Sequence, residues 1–173
     1  MFLETQRLIL RKPEIADVND YMEFVNTRFV NRYNAMSPVT REKAEYRFAN
    51  AEDSSIAIIK KETGRLIGML YVGEDSLRYD VNSKEISYFL REEESKKGYM
   101  KEALSALISH LFETENLTCI TARSFAPNIA SQRLLESLGF QKEGLLRCCV
   151  KGFEGTVFDD WLYSLFREDL RKE

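Results

Sequence analysis

Apolar and polar residues alternate over positions 5–13 (TQRLILRKP), which puts Leu8 and Leu10 on one face and predicts a strand ending at Pro13. From 14 to 26, Ile15, Val18, Tyr21, Met22 and Val25 recur at helical spacing and predict an amphipathic helix. Residues 31–39 (NRYNAMSPV) have no period and predict a loop. Thr40 stands where an N-cap would open a helix running to about Ala51, but Lys43 occupies the position at which a capping box needs Glu or Gln. Three strand patterns follow, at 54–61, 65–73 and 83–91, the first two joined by a turn at Thr63–Gly64. A helix from Gly98 to Glu113 turns Ala103, Leu104, Leu107, Ile108 and Leu111 inward. LTCITARSF (117–125) reads as a buried strand, and 127–138 as a helix closed by Gly139, because glycine accepts the left-handed conformation of a helix end. Two final strands, FQKEGLLRCCVKG and GTVFDDWLYSLFRE, meet at a Gly152–Gly155 turn. The order β-α-α-β-β-β-α-β-α-β-β, without repeat or linker, predicts one α+β domain over 1–173, a mixed sheet flanked by helices.

Composition narrows the class. With 44% apolar residues in 173, the chain can bury a substantial core. A net charge of −3 gives no reason to expect nucleic acid as a partner, and there is no apolar run of membrane-spanning length or leader-like start. Cys119, Cys148 and Cys149 are odd in number and lack CxxC spacing, which fits reduced thiols in the cytoplasm and no metal site.

Two segments carry candidate chemistry. REEESKKGYMKE (91–102) joins a strand to a helix, and Ser95, Lys96, Lys97 and Gly98 fall at the helix start. Unpaired N–H groups and partial positive charge collect there, Gly98 allows close approach to the backbone, and Lys96, Lys97 and Lys101 add charge. Such a turn suits a pyrophosphate, and it equally suits an ordinary helix start with surface lysines. GxxxxGK[ST] and GxGxxG are both absent. In SFAPNIASQRLLESLGFQKEG (124–144), Pro127, Asn128 and Ser131 cluster at the helix start, with Asn128 and Ser131 three apart and facing one side. Asn128 also suits a plain helix cap.

Together these segments resemble the GNAT acetyltransferases, most closely the branch that acetylates N-terminal amines of ribosomal proteins. KKGYMKEAL (96–104) is similar to that branch's GKGYATEAL, and PNIASQRLLESLGFQKEG (127–144) follows its signature. ETQRLILRK (4–12) and DDWLYSLFRED (159–169) resemble its opening and closing strands. The resemblance implies the acyl-CoA N-acyltransferase fold: a mostly antiparallel seven-stranded sheet with a V-shaped split between its fourth and fifth strands, here 83–91 and 117–125. It implies acetyl-CoA in that split. The pyrophosphate would lie on backbone N–H groups of Lys96, Lys97, Gly98, Tyr99, Met100 and Lys101, and the pantetheine arm would pair with the backbone at Phe89 and Leu90. Asn128 would hydrogen-bond the arm, and Ser131 would sit near the thioester sulfur. Two departures stand out. The family's Gln/Arg-x-x-Gly-x-Gly/Ala loop reads Ser95, Gly98 and Met100 here, which predicts a crowded turn with weaker CoA binding or a shifted loop. Leu135 replaces a common general-acid tyrosine, leaving Ser131 in that role.

Acetyl transfer to an amine needs a deprotonated nucleophile, donors for an oxyanion and a leaving thiolate. An α-amine (pKa about 8) is free base roughly a hundredfold more often than lysine (about 10.4) at neutral pH, so a weak base suits an N-terminal acceptor. Glu85 is the expected base, with Asp160 and Tyr163 as weaker alternatives, and backbone N–H groups near Phe89 and Leu90 are the expected oxyanion donors. Tyr88, Phe89 and Tyr99 read as core aromatics, His110 as a helix-flank residue, Cys119 as an inert core thiol, and Cys148 and Cys149 as one inward and one outward strand residue. The acceptor would enter between the 27–40 loop and the 150–157 turn, past Arg28, Arg32, Tyr33 and Phe153. The same cofactor site would serve a small-molecule amine acetyltransferase or a non-catalytic acyl-CoA-binding protein. The resembled branch often forms homodimers.

Overall fold

The computed structural model describes residues 2–35 and 37–170. Its strands are β1 (Phe2–Glu4), β2 (Leu8–Arg11), β3 (Ser55–Lys60), β4 (Arg65–Glu74), β5 (Ser83–Leu90), β6 (Cys119–Phe125), β7 (Gln141–Lys151) and β8 (Val157–Phe166). Its α-helices are α1 (Val18–Phe24), α2 (Arg28–Asn31), α3 (Arg41–Ala49), α4 (Tyr99–Thr114) and α5 (Ile129–Ser137). The strands form one sheet in the order β1-β2-β3-β4-β5-β6-β8-β7. Only β5 and β6 run parallel; the other neighbouring pairs are antiparallel.

Strand alternation divides the core between the two faces. Leu8, Leu10, Ile56, Ile58 and Ile86 pack with the inward stripe of α4 (Ala103, Leu104, Leu107, Ile108, Leu111) and with Leu135 of α5. On the other face, Ala57, Ile59, Leu66 and Met69 pack under α1 and α3, against Val18, Tyr21, Phe24 and Phe48. Strand β3 is therefore buried on both faces, and its sequence SIAIIK is an almost continuous apolar run.

The split that the resemblance implied is present and has a hydrogen-bonding cause. The β5–β6 ladder runs from Ser83–Cys119 to Ile86–Ala122 and stops. Beyond that rung, β5 stays with β4 as far as Leu90–Gly68, and β6 stays with β8 as far as Phe125–Asp160. Each strand follows its outer neighbour, so residues 87–90 and 123–125 diverge.

Several local expectations are corrected. The first strand is a hairpin of β1 and β2, which adds an eighth, edge strand to the sheet. The turn forms because Thr5 Oγ1 accepts from Leu8 N–H (3.0 Å) and donates to Glu102 (2.6 Å). The helix expected from 14 begins as a 3-10 turn at Ile15–Asp17, with Ile15 exposed and Phe24 buried in its stead. Helix α2 replaces part of the expected loop, with Thr27 Oγ1 accepting from Val30 N–H. Thr40 caps α3 through Lys43 N–H, without a capping box. Cys148 and Cys149 are both exposed: the β7–β8 register breaks between Leu146 and Val150, Cys148 takes a φ of 49°, and alternation is lost. Among the described residues no helix is long and apolar enough to cross a membrane.

Candidate active site

The turn before α4 is built for close backbone approach. A 3-10 turn at Glu92–Glu94 leads to Lys96 with φ 60° and to Gly98, the N-cap of α4, with φ 84°. The first hydrogen bond of α4 runs from Glu102 N–H to Gly98 C=O (3.0 Å), so the N–H groups of the preceding turn have no partner within the helix. Arg7 pins this turn from outside. Its Nη1 donates to Lys97 C=O (3.0 Å), its Nε to Glu102 Oε2 (2.6 Å) and its backbone N–H to Glu102 Oε1 (2.8 Å). Burial would raise the Glu102 carboxyl, but the bonds from Thr5 and Arg7 outweigh it and hold the group below the usual carboxylate range. Met100 is 8% exposed and packs into the core, so its bulk is taken up beneath the turn. Tyr99 is equally buried, under the Arg7 guanidinium at 4.4 Å. Lys96, Lys97 and Lys101 stay exposed, with Lys97 paired to Glu94 (2.9 Å). Backbone donors, lysines and a left-handed glycine together fit a diphosphate.

The start of α5 faces the split. Asn128 is its N-cap, with Oδ1 accepting from Ser131 N–H (3.2 Å), while its Nδ2 makes no hydrogen bond among the described residues. The cap role and a ligand role therefore use different atoms of one side chain. Ser131 Oγ lies 2.8 Å from the Tyr88 hydroxyl. Burial pushes Tyr88 up to about 12, and the bond to Ser131 pulls it back part of the way. Tyr88 is the functional candidate that aromatic counting assigned to the core. The signal for it was strand parity, which places Tyr88 on the α5 side with Ile86.

Parity also divides the two expected backbone donors. Thr121 Oγ1 donates to Lys84 C=O, so the even positions of β5 turn their backbone groups toward β6. Arg91 N–H donates to Ile67 C=O (2.8 Å), so the odd positions turn theirs toward β4. Leu90 and Tyr88 thus offer N–H groups to the split. The Phe89 backbone faces β4 and is not available there, which corrects its assignment as a donor. The Phe89 ring packs with Tyr21, Phe24 and Tyr71.

A cavity of about 280 Å³ gathers Glu85, Tyr88, Phe89, Arg123, Asn128, Ser131 and Asp160. Glu85 is ion-paired with Arg123 (3.4 Å). Asp160 is 2% exposed, with Oδ2 3.8 Å from Arg123 Nε and Oδ1 without a hydrogen-bond partner among the described residues. Its burial raises the carboxyl to about 6, with Arg123 pulling down and Glu85 pushing up. Tyr163 does not line the cavity and donates to Glu136 (3.3 Å), and Leu135 is fully buried. A second cavity of about 670 Å³ lies between α2 and the β7–β8 turn, and Arg28, Arg32, Tyr33 and Phe153 all line it. Tyr33 lines both cavities and so marks where they meet. Among the described residues no His/Cys/Asp/Glu cluster could hold a metal ion.

Comparison with known proteins identifies the family. The model of the acetyltransferase (GNAT) domain matches residues 7–141. The uncharacterised N-acetyltransferase p20 of Bacillus licheniformis is 33% identical over 96% of this chain and 97% of its own. Ribosomal-protein-S5-alanine acetyltransferase from Vibrio fischeri superposes with a TM-score of 0.85 at 20% identity, over 99% of this chain and 100% of that one. RimJ of Mycobacterium smegmatis, solved in complex with CoA-disulfide, superposes with a TM-score of 0.83 at 19% identity, over 96% and 85% of the two chains. The chain belongs to the GNAT family of acetyltransferases, which move an acetyl group from acetyl-CoA to an amine.

Proposed function

We propose that the chain, acting as a single domain, transfers the acetyl group of acetyl-CoA to a protein N-terminal α-amine, such as that of a ribosomal protein, by direct attack in a ternary complex. The observation that carries the chemistry is the Ser131–Tyr88 hydroxyl pair at 2.8 Å, set where β5 leaves β6. The diphosphate would lie on the amides of residues 96–101, with the pantetheine arm along β5 toward Asn128 Nδ2. Leu90 N–H would hold the developing oxyanion. The departing thiolate would take a proton from Ser131, which Tyr88 orients and resupplies. The acceptor preference rests on two supports: the α-amine is the more easily deprotonated nucleophile, and the Vibrio fischeri neighbour is named for a ribosomal-protein alanine. The larger cavity gives a chain end room to enter past Arg28 and Arg32. The unpaired cysteines suit a cytoplasmic, reducing setting.

Calorimetry with acetyl-CoA, followed by thiol release on peptides starting with Ala or Ser and on polyamines and amino sugars, tests this reading. Turnover on peptides above that on small amines is expected. The reverse order makes the protein a small-molecule acetyltransferase, and binding without transfer makes it an acyl-CoA-binding protein. Ser131→Ala should lower kcat about tenfold, because a hydroxyl from Tyr88 or water remains to supply the proton, and should leave the acetyl-CoA dissociation constant unchanged. An unaltered kcat would remove Ser131 from the proton path.

A further inference from the structure

The carboxylate best placed to meet the acceptor is not the one that strand position alone favours. Glu85 already has the Arg123 guanidinium at 3.4 Å. Asp160 has one oxygen 3.8 Å from that same Arg123 and the other with no hydrogen-bond partner among the described residues, although it is buried and lines the cavity with Ser131 and Tyr88. A buried carboxylate oxygen without a donor is costly, and a bound ammonium would complete it. Asp160 also occupies the last rung of the β6–β8 ladder, opposite Phe125, where the split stands open. Given the acetyltransferase reading above, on which this inference rests, we propose that Asp160 binds the cationic primary amine of the acceptor and receives its proton, while Glu85 holds Arg123 in place.

The protons balance. The ammonium gives one proton to Asp160, and the free amine attacks the thioester carbonyl, forming the C–N bond. The C–S bond breaks, and the second nitrogen proton reaches the CoA sulfur through Ser131. Asp160 then releases its proton to solvent. The groups facing Asp160 are Arg123 on β6, Glu85 on β5 and, through Arg123 Nη1 at 3.8 Å from its Sγ, Cys149 on β7. The hydroxyls of Tyr88 and Ser131 line the same cavity.

The test follows thiol release from acetyl-CoA with an alanine-initiated peptide and with spermidine, from pH 5 to 9, in the wild type, Asp160→Asn and Glu85→Gln. The wild-type kcat/KM should fall below a pH near 6, the value of Asp160 before the amine binds, and the corresponding limb in kcat should lie about a unit or more lower. Glu85→Gln should keep that limb, moved to lower pH because the charge that pushes Asp160 up is gone, and Asp160→Asn should lose it together with about a hundredfold of kcat. A limb that vanishes in Glu85→Gln, or an Asp160→Asn enzyme that keeps rate and limb, overturns the proposal. A carbon-13 titration of the Asp160 carboxyl in the CoA-bound wild type needs no turnover and no variant. Its pKa should fall by about a unit or more when peptide or spermidine is added. A pKa unmoved by either amine overturns the proposal even where neither probe is acetylated, an outcome that by itself would count against the functional reading.

Discussion

Gly98→Val is expected to raise the acetyl-CoA dissociation constant about thirtyfold while leaving the unfolding midpoint close to that of the wild type. Gly98 holds φ at 84°, a conformation that costs an L residue about 1–2 kcal/mol, with a β-branched side chain at the upper end. The new Cβ would also press on Arg7 Nη2 at 3.3 Å, the guanidinium whose other nitrogens hold Lys97 C=O and Glu102. Relief requires the turn to leave the geometry that aims the α4 amides outward. A cost of about 2 kcal/mol on the binding-competent turn corresponds to about thirtyfold in affinity. The turn is exposed and its rearrangement opens no cavity, so global stability has little to lose. Gly98→Ala should show the same effect at smaller size. Calorimetric titration of acetyl-CoA into the three proteins decides the matter, and equal dissociation constants would place the phosphates elsewhere.

The elements legible in the sequence were those with long, regular periods. Helix α4 and strands β3 to β6 follow from apolar spacing because their buried faces continue over several residues. Helix α2 did not show, since four residues carry no period and the helix depends on the Thr27 cap. The β1–β2 hairpin escaped for a similar reason: its turn is set by Glu102, far along the chain, bonding Thr5 and Arg7. The turn before α4 and the start of α5 are local motifs, and Arg28, Arg32, Tyr33 and Phe153, which line the larger cavity, follow from the loops that carry them. What could not be read was the charge arrangement inside the split. Glu85, Arg123 and Asp160 lie on three strands, and only the adjacency of β5, β6 and β8 shows that Arg123 goes to Glu85 and leaves an Asp160 oxygen bare. The Tyr88–Ser131 contact is of the same kind, a meeting of strand parity and helix placement that no local pattern encodes.

Gly68→Val should lower the unfolding free energy by about 3 kcal/mol and, where enough folded protein remains, impair acetyl transfer as well. Gly68 pairs with Leu90 at the last rung of the β4–β5 ladder. A Cβ there would stand 2.8 Å from the Phe89 carbonyl oxygen, 2.8 Å from Leu90 Cδ1 and 3.2 Å from Ile58 Cδ1. A backbone oxygen cannot swing aside as a side chain can. To clear it, β5 must shift away from β4 next to the Arg91 N–H to Ile67 C=O bond, or β4 must press on β3, whose register already shifts between Ile58 and Ile59. Overpacking of this kind costs about 1–3 kcal/mol, and valine adds two further methyl groups in a fully packed layer. Gly73, on the same strand, supplies the control: a Cβ there meets nothing within 4 Å, so Gly73→Ala should be neutral or slightly stabilising. Denaturant unfolding at constant slope would separate the two sites. The functional consequence follows from the same rung, because Leu90 turns its N–H into the split. In Gly68→Ala, the milder variant, kcat should fall more than affinity for acetyl-CoA, since the displaced residue is the proposed oxyanion donor and the proposed diphosphate turn lies beyond it. If Gly68→Val unfolds with Gly73→Ala, the close approach of β4 and β5 is not what fixes the end of β5.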